Sequence, residues 1–208
     1  MILLYILLGI ITAIIGALPL GASNIAVINA TIKHNLKTAL KIAITAGIAE
    51  VLLSAYALNY NMLVKDFFSS NQWLQILISL LLLGIGGFLF FKKNHAEKKK
   101  TSKTIFKSHY FSGFFLGLLN PPVLVYWLLV YGIINSNIAM LTMDSSFSVL
   151  LLFFLGVYTG KVFTLYLYGK FSLYLQMKFN NINSIVNKFT GSMLFTVGVF
   201  QFIKLYFI

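Results

Sequence analysis

Long apolar runs alternate along the chain with short segments rich in lysine and other polar residues. Six runs stand out, and each approaches or exceeds the length that a helix rising 1.5 Å per residue needs to cross a hydrocarbon core about 30 Å thick. They cover Ile2 to Ile32, Leu40 to Leu58, Trp73 to Phe91, Tyr110 to Ile134, Phe147 to Tyr168 and Phe189 to Phe207. The pattern predicts an all-α integral membrane protein with six transmembrane helices in one domain, residues 1–208.

Composition supports this prediction. Hydrophobic residues make up 59% of the chain and only four residues are acidic, which excludes an ordinary soluble domain. All sixteen cations are lysines, and thirteen of them lie in the first, third and fifth loops. Because positive loops stay in the cytoplasm, both termini are expected outside. The net charge of +12 is therefore explained by the lipid bilayer and topology, with no nucleic-acid partner.

Helix-breaking residues interrupt the first and fourth runs near their middles. The two segments read Gly16-Ala-Leu-Pro19-Leu-Gly21 and Gly117-Leu-Leu-Asn120-Pro121-Pro122. The second and fifth runs each hold one ionisable residue, Glu50 and Lys161. These matches predict two inverted three-helix repeats, residues 1–91 and 110–208, joined by a basic cytoplasmic loop over 92–109. A simple proline kink that serves helix packing is the alternative.

The two ionisable residues are predicted to lie at the same depth. Glu50 is nine residues from Lys41 and Lys161 is nine from Lys170, which places each about 13 Å from the cytoplasmic boundary. Glu50 is the candidate for holding a solute ammonium or a coupling proton, and Lys161 would neutralise it or hold an anionic group. A structural ion pair is the alternative.

The breaks supply the remaining candidate binding residues. After Pro19 the amides around Gly21 would form a helix N-terminus, which favours a carboxylate. Side-chain donors near the two breaks complete the set, and each of them has a second reading in which it satisfies backbone groups freed at the kink. The candidates at the breaks are Pro19, Gly21, Ser23, Asn24, Asn120 and Pro121.

Catalytic motifs are lacking in the sequence. The chain has no Walker-type glycine loop, no His-Glu-x-x-His and no Gly-x-Ser-x-Gly, so neither an enzyme nor a cofactor is expected. Cysteine is absent, and the three histidines lie in basic loops without forming a predicted metal cluster.

The broken runs resemble those of bacterial LysE-type translocators, the lysine and homoserine/threonine exporter family. Leu18-Pro19-Leu20-Gly21-Ala22-Ser23-Asn24 is similar to the opening break of that family, and Leu119-Asn120-Pro121 to its Asn-Pro-Lys break. Phe189-Thr190-Gly191-Ser192-Met193-Leu194-Phe195-Thr196-Val197-Gly198 is similar to its closing glycine pattern. Leu20 between the proline and the glycine, and Pro122 in place of the lysine, are departures, so the substrate is not carried over.

The resemblance implies a secondary transporter in the bacterial cytoplasmic (inner) membrane. It would export a small charged or zwitterionic solute, amino acids or related metabolites, driven by an ion gradient with a proton as the expected coupling ion. Two other functions stay open: a divalent metal-cation exporter, for which one membrane carboxylate is a poor ligand set, and a non-transporting membrane assembly or anchoring protein. Homo-oligomer formation is also left open.

Overall fold

The computed structural model describes residues 2–19, 21–91 and 108–178, with 188, 191–192, 195–196, 198–199 and 202–203. In these ranges the chain forms helices and no strand, as the all-α prediction requires. The helices are α1 (Ile2–Ala17), α2 (Ala22–Lys33), α3 (Leu36–Ser70), α4 (Gln72–Phe91), α5 (His109–Leu118), α6 (Pro121–Asn137) and α7 (Phe147–Lys178). Most of the predicted loop over 92–109 and of the sixth run, Phe189 to Phe207, lies outside the described residues.

The first and fourth apolar runs are each folded as two helices. The axis bends by 76° between α1 and α2 and by 55° between α5 and α6. Each bent pair is long and apolar enough to be one broken span, while Leu36–Asn61 of α3 and Phe147–Ser172 of α7 qualify without a break. The described residues thus hold two to four candidate spans, and both breaks lie at the predicted positions.

Two helices extend beyond the runs that predicted them. The second run was expected to end at Leu58 with a loop around Lys65, but α3 continues to Ser70, so that loop prediction is wrong. The fifth run was expected to end at Tyr168, but α7 continues to Lys178. Polar residues change the solvent that a helix meets without ending the helix, and no glycine or proline occurs between Gly47 and Ser70.

Large apolar side chains point away from the bundle at helical spacing. In α1 the exposed residues Leu3, Leu7, Ile11 and Ile15 recur every four positions, while Ala13 and Ala17 are buried. The same separation occurs in α3, where Ile44, Ile48 and Leu52 are exposed and alanine predominates among the buried hydrophobic side chains. Small residues inside and large apolar residues outside are typical of helices that pack in lipid.

Glycines let each half-helix lie directly on the long helix of the other half of the chain. A Cβ at Gly9 of α1 would lie 2.9 Å from the Val157 amide nitrogen of α7, and Gly160 of α7 faces Ile10 and Ala13 of α1 in the same way. On the other side, a Cβ at Gly117 of α5 would lie 2.8 Å from the Ala49 Cβ of α3. Thus α1 packs on α7, and α5 packs on α3.

The chain divides into two compact units, and each unit combines segments from both halves of the sequence. The first comprises Met1–Met62 and Ser102–Tyr174, and the second comprises Leu63–Thr101 and Leu175–Ile208. In the second unit a Cβ at Gly86 of α4 would lie 2.9 Å from the Gly191 carbonyl oxygen, so these two backbones are in contact. Both breaks, Glu50 and Lys161 belong to the first unit.

Candidate functional site

The carbonyl groups at the end of α1 are satisfied by side chains from further along the chain. Asn24 donates through Nδ2 to the Ala17 carbonyl at 2.7 Å and to the Pro19 carbonyl at 3.3 Å. The Tyr168 hydroxyl of α7 donates to the Leu18 carbonyl at 2.7 Å. Three consecutive carbonyls of the first break are therefore bonded, which is what an irregular backbone inside a membrane requires.

By contrast, the backbone amides at the start of α2 have no side-chain cap. Gly21 is the N-cap residue in an extended conformation, and no side-chain hydrogen bond caps the helix. The first bond of α2 runs from the Ile25 amide to the Gly21 carbonyl, so the amides of the first turn precede it. Ser23, in that turn, is 2% exposed, and its Oγ has no hydrogen-bond partner among the described residues. This end of α2 carries the buried Ser23 hydroxyl, backbone amides without a side-chain cap and a partial positive charge.

The second break has the opposite character. Asn120 is the N-cap residue of α6, and prolines occupy the first two helical positions. Proline has no backbone N–H, and the next amide, that of Val123, donates to the Asn120 carbonyl at 3.0 Å. The Gly117 and Leu118 carbonyls of α5 would normally accept from residues four positions later, which are Pro121 and Pro122. The second break therefore presents acceptors where the first presents donors.

Two contacts bring the breaks towards each other and towards Glu50. A Cβ at Gly21 would lie 3.4 Å from the Nδ2 atom of Asn120, so the Asn120 side chain lies against the start of α2. Gly117, three residues before Asn120, packs on Ala46 and Ala49 of α3, immediately beside Glu50. The second break thus contacts the start of α2 through Asn120 and contacts α3 next to Glu50 through Gly117.

Glu50 and Lys161 form a buried ion pair between α3 and α7. The Lys161 Nζ atom lies 3.0 Å from Glu50 Oε2, and the side chains are 4% and 1% exposed. Glu50 lies fourteen residues after the start and eleven before the end of the candidate span Leu36–Asn61, and Lys161 has the same position in Phe147–Ser172. The pair is therefore near the middle of both spans, as the sequence predicted. An isolated charge there would cost about 2.5 to 3.5 kcal/mol on insertion scales.

Trp127 of α6 is the residue that sequence reasoning missed. Its indole Nε1 donates to Glu50 Oε1 at 3.0 Å, and the side chain is fully buried. One turn further along, the Tyr131 hydroxyl bonds to Ser54 Oγ, one turn after Glu50. The available signal was position, because tryptophan normally lies at the membrane interface and a buried indole N–H needs an acceptor. Trp127 lies five residues after Pro122, inside the predicted fourth run, so its indole N–H indicates a polar acceptor within the bundle.

The predicted site residues therefore separate into groups. Glu50 pairs with Lys161, and Gly21 lies against Asn120. Asn24 is turned back to the break, whereas Ser23 is buried with a free hydroxyl within the described part of the chain. Pro19 lies in the first break and Pro121 opens α6. A solute-binding role for these residues remains a prediction.

The described residues contain no cluster of side chains that could bind a metal ion. In residues 2–19, 21–91 and 108–178 and the few described residues beyond, no group of three or more His, Cys, Asp or Glu side chains is placed to hold a metal ion.

Apolar helices with two broken spans and a buried mid-span ion pair define a multi-pass membrane protein built like a transporter. The family model of the LysE type translocator matches residues 14–204, and the chain belongs to that family. Its members are transporters rather than enzymes, so the chain is a membrane translocator. Neither a curated protein nor a solved structure matches the chain significantly.

Proposed function

We propose that this protein is a secondary transporter that exports small zwitterionic or cationic solutes, namely amino acids or related metabolites, in exchange for protons. The observation that carries the proposal is the Glu50–Lys161 pair, buried near the middle of two candidate spans, with Gly117 at the end of α5 packed on Ala49 next to Glu50. Charged residues at that depth are expensive, and in membrane proteins they commonly mark a substrate or ion pathway. Export is the direction that the translocator family suggests.

The opposite character of the two breaks supports a zwitterionic solute. A carboxylate is favoured at the amides of the first turn of α2, where Ser23 Oγ is available as a further donor. An ammonium is favoured near Glu50 and the carbonyls at the end of α5, which meet prolines where donors would otherwise be. Separate sites for the two ends of one molecule suit an α-amino acid better than a simple anion or a bare metal ion.

Helix packing supports an inverted repeat with alternating access. The half-helix α1 packs on α7 and the half-helix α5 packs on α3, which is the reciprocal pattern that two related halves would give. In such folds the solute site lies at the midplane, where broken helices meet. In this proposal the repeats rock about that site, with both termini outside and the basic loop over 92–109 in the bacterial cytoplasm.

Transport by purified protein in lipid vesicles tests the proposal. Vesicles loaded with radiolabelled L-threonine or L-lysine should release label faster with the protein than without it, and an imposed proton gradient should accelerate the release. Glu50→Gln should lower the rate at least tenfold, because the neutral amide loses its attraction for an ammonium. Asp144→Asn, which alters an exposed carboxylate, is the matched control and should transport normally. Equal rates for Glu50→Gln and wild type would remove Glu50 from the mechanism.

An assembly or anchoring role is the second candidate, and one observation favours it. Both Glu50 oxygens already contact protein groups, Trp127 and Lys161, as in a purely structural ion pair. Removing one partner of a buried pair typically costs about 3 to 5 kcal/mol because the other charge is left unpaired. If Glu50→Ala abolishes folding, and the double variant Glu50→Ala/Lys161→Ala folds and retains all wild-type activity, the ion pair has a purely structural role.

A further inference from the structure

The carboxylate expected to hold the solute's amino group is occupied. Trp127 Nε1 donates to Glu50 Oε1 at 3.0 Å, and Lys161 Nζ lies 3.0 Å from Glu50 Oε2. Trp127 is fully buried and its ring packs against Tyr131 and Phe153, so its position is set by the core. Of the two contacts, the ammonium on a flexible four-carbon chain is the one that can move away.

The group that occupies Glu50 Oε2 has the chemistry of the proposed solute. A lysine side chain ends in a primary ammonium, which is the same group that an amino acid carries on its α-carbon. An arginine would bind the carboxylate through two parallel hydrogen bonds, whereas a lysine provides a single exchangeable point charge. Glu50 is also the one partner that the described residues give to the Lys161 ammonium.

We infer that Lys161 occupies the place of the solute's amino group on Glu50 in the empty transporter, and that the solute displaces it together with one proton. This inference rests on the proposed transport function and assigns the coupling proton to Lys161. The sequence interpretation had left Glu50 to hold either the solute ammonium or the coupling proton. In both states Glu50 faces the Trp127 indole and one ammonium, from Lys161 or from the solute.

The charge balance explains the proton release. A displaced Lys161 ammonium would lie at mid-span without a counter-ion, and a buried charge without a partner is much more costly than the neutral amine. The helices packed around it offer no second carboxylate: on α3 the acidic residue of the span is Glu50, and α1 has no charged side chain. On α6 the titratable groups are Tyr126, whose hydroxyl donates to the Thr12 carbonyl, and Tyr131, whose hydroxyl bonds to Ser54 Oγ.

The exchange is stoichiometric. One ammonium–carboxylate ion pair at Glu50 breaks and another forms, the ammonium on the solute's α-carbon takes the place of the Lys161 ammonium, and one proton passes from Lys161 to water. When the solute leaves, Lys161 takes up a proton and returns to Glu50. The site keeps one cation in both states, which lets the empty transporter change orientation without exposing an unpaired carboxylate.

Proton release on binding is the direct test. Purified protein in weakly buffered detergent solution with a pH-sensitive dye is mixed with L-threonine, with L-lysine and with N-acetyl-L-threonine, which has no ammonium. Wild type should release about one proton per bound L-threonine or L-lysine and none with the acetylated compound. Lys161→Arg, which keeps the ion pair with Glu50 and does not give up its proton, should release none per bound solute, and Lys170→Gln, a lysine nine residues further along α7, should behave as wild type. Proton release per bound solute by Lys161→Arg equal to wild type would overturn the inference.

Vesicle transport separates failure of the inference from failure of the proposed function. Lys161→Gln should exchange labelled for unlabelled L-threonine at a rate within about threefold of wild type. The factor by which a proton gradient accelerates its transport should be at least tenfold smaller than in wild type. Full acceleration in Lys161→Gln overturns the role of Lys161 and leaves the transporter intact. Wild type that exchanges none of these solutes overturns both the function and the inference.

Lys161→Arg keeps the test decisive if the glutamine variant does not fold. The guanidinium retains the ion pair with Glu50, so the empty protein should keep its thermal stability, but arginine does not release its proton in this range. We expect L-threonine binding at least tenfold weaker than in wild type and no proton release. Wild-type affinity in Lys161→Arg would show that the solute does not compete for Glu50.

Discussion

The two helix breaks look alike in sequence and differ in chemistry. In the first, Asn24 and Tyr168 bond the carbonyls at the end of α1, while the amides at the start of α2 have no side-chain cap. In the second, Pro121 and Pro122 remove the amides at the start of α6 and leave the last carbonyls of α5 without their usual donors. Pro19 precedes the N-cap residue of α2, whereas Pro121 and Pro122 occupy the first two positions of α6, so the first break keeps its amide donors and the second loses them.

Substitutions that disturb the packing of the half-helices α1 and α5 should cause the largest losses of stability. The loss should be the same for both half-helices. Gly9→Leu would force α1 away from the α7 backbone, and Gly113→Leu would force α5 away from Ile42 of α3. Overpacking of this kind costs about 1 to 3 kcal/mol or more, because backbone has to move. We expect both variants to lose most of their folded yield in size-exclusion chromatography.

Gly132→Leu is the control for that pair, since a Cβ at Gly132 meets nothing within 4 Å among the described atoms. It should fold with a yield close to wild type. If Gly9→Leu folds normally while Gly113→Leu does not, the two half-helices are not equivalently packed.

Asparagine should matter for stability at the first break and much less at the second. Asn24→Ala leaves the Ala17 and Pro19 carbonyls without their donor, at a cost of about 1 to 3 kcal/mol for an unsatisfied buried group. No hydrogen bond of the Asn120 side chain caps α6, so the free energy of unfolding of Asn120→Ala should lie within about 0.5 kcal/mol of the wild-type value. Thermal unfolding in detergent measures both. A larger loss in Asn120→Ala than in Asn24→Ala would reverse the comparison.

Ser23 should affect recognition of the carboxylate without affecting stability. Its buried hydroxyl is unpaired in the described structure, so Ser23→Ala removes no bond from the empty protein. Loss of one hydrogen bond to a charged group corresponds to about 1.5 to 3 kcal/mol, or at least a tenfold weaker affinity. Binding of L-threonine and of L-threonine amide, compared by calorimetry, should show that wild type prefers the acid and that Ser23→Ala has lost most of that preference.

The smallest effect is expected where a donor is restored to the second break. Pro122→Ala supplies an N–H that can reach the Leu118 carbonyl, which makes the second break more like a continuous helix. We expect a gain in thermal stability of no more than about 1 kcal/mol and a two- to threefold slower exchange of L-threonine. Faster exchange, or an unchanged rate with a clear loss of stability, would show that these carbonyls do not act at the solute site.

The sequence by itself determined the helical membrane class, the positions of both breaks and the two mid-span charges. Apolar run length, proline and isolated ionisable residues are local signals, and each of them acts within a few turns of helix. The sequence also allowed Glu50 to be matched in depth with Lys161, because both are nine residues from a boundary lysine.

Only the tertiary structure decided which groups are satisfied. Asn24 was predicted either as a donor to the solute or as a partner of backbone groups freed at the kink, and its side chain bonds carbonyls at the end of α1. Tyr168 reaches Leu18 across 150 positions of sequence. Trp127 meets Glu50 because α6 lies beside α3, a contact between residues 77 positions apart. The hydrogen bonds of a side chain depend on distant helices, so the pattern along the chain locates a charge and only its neighbours in space determine what that charge can still bind.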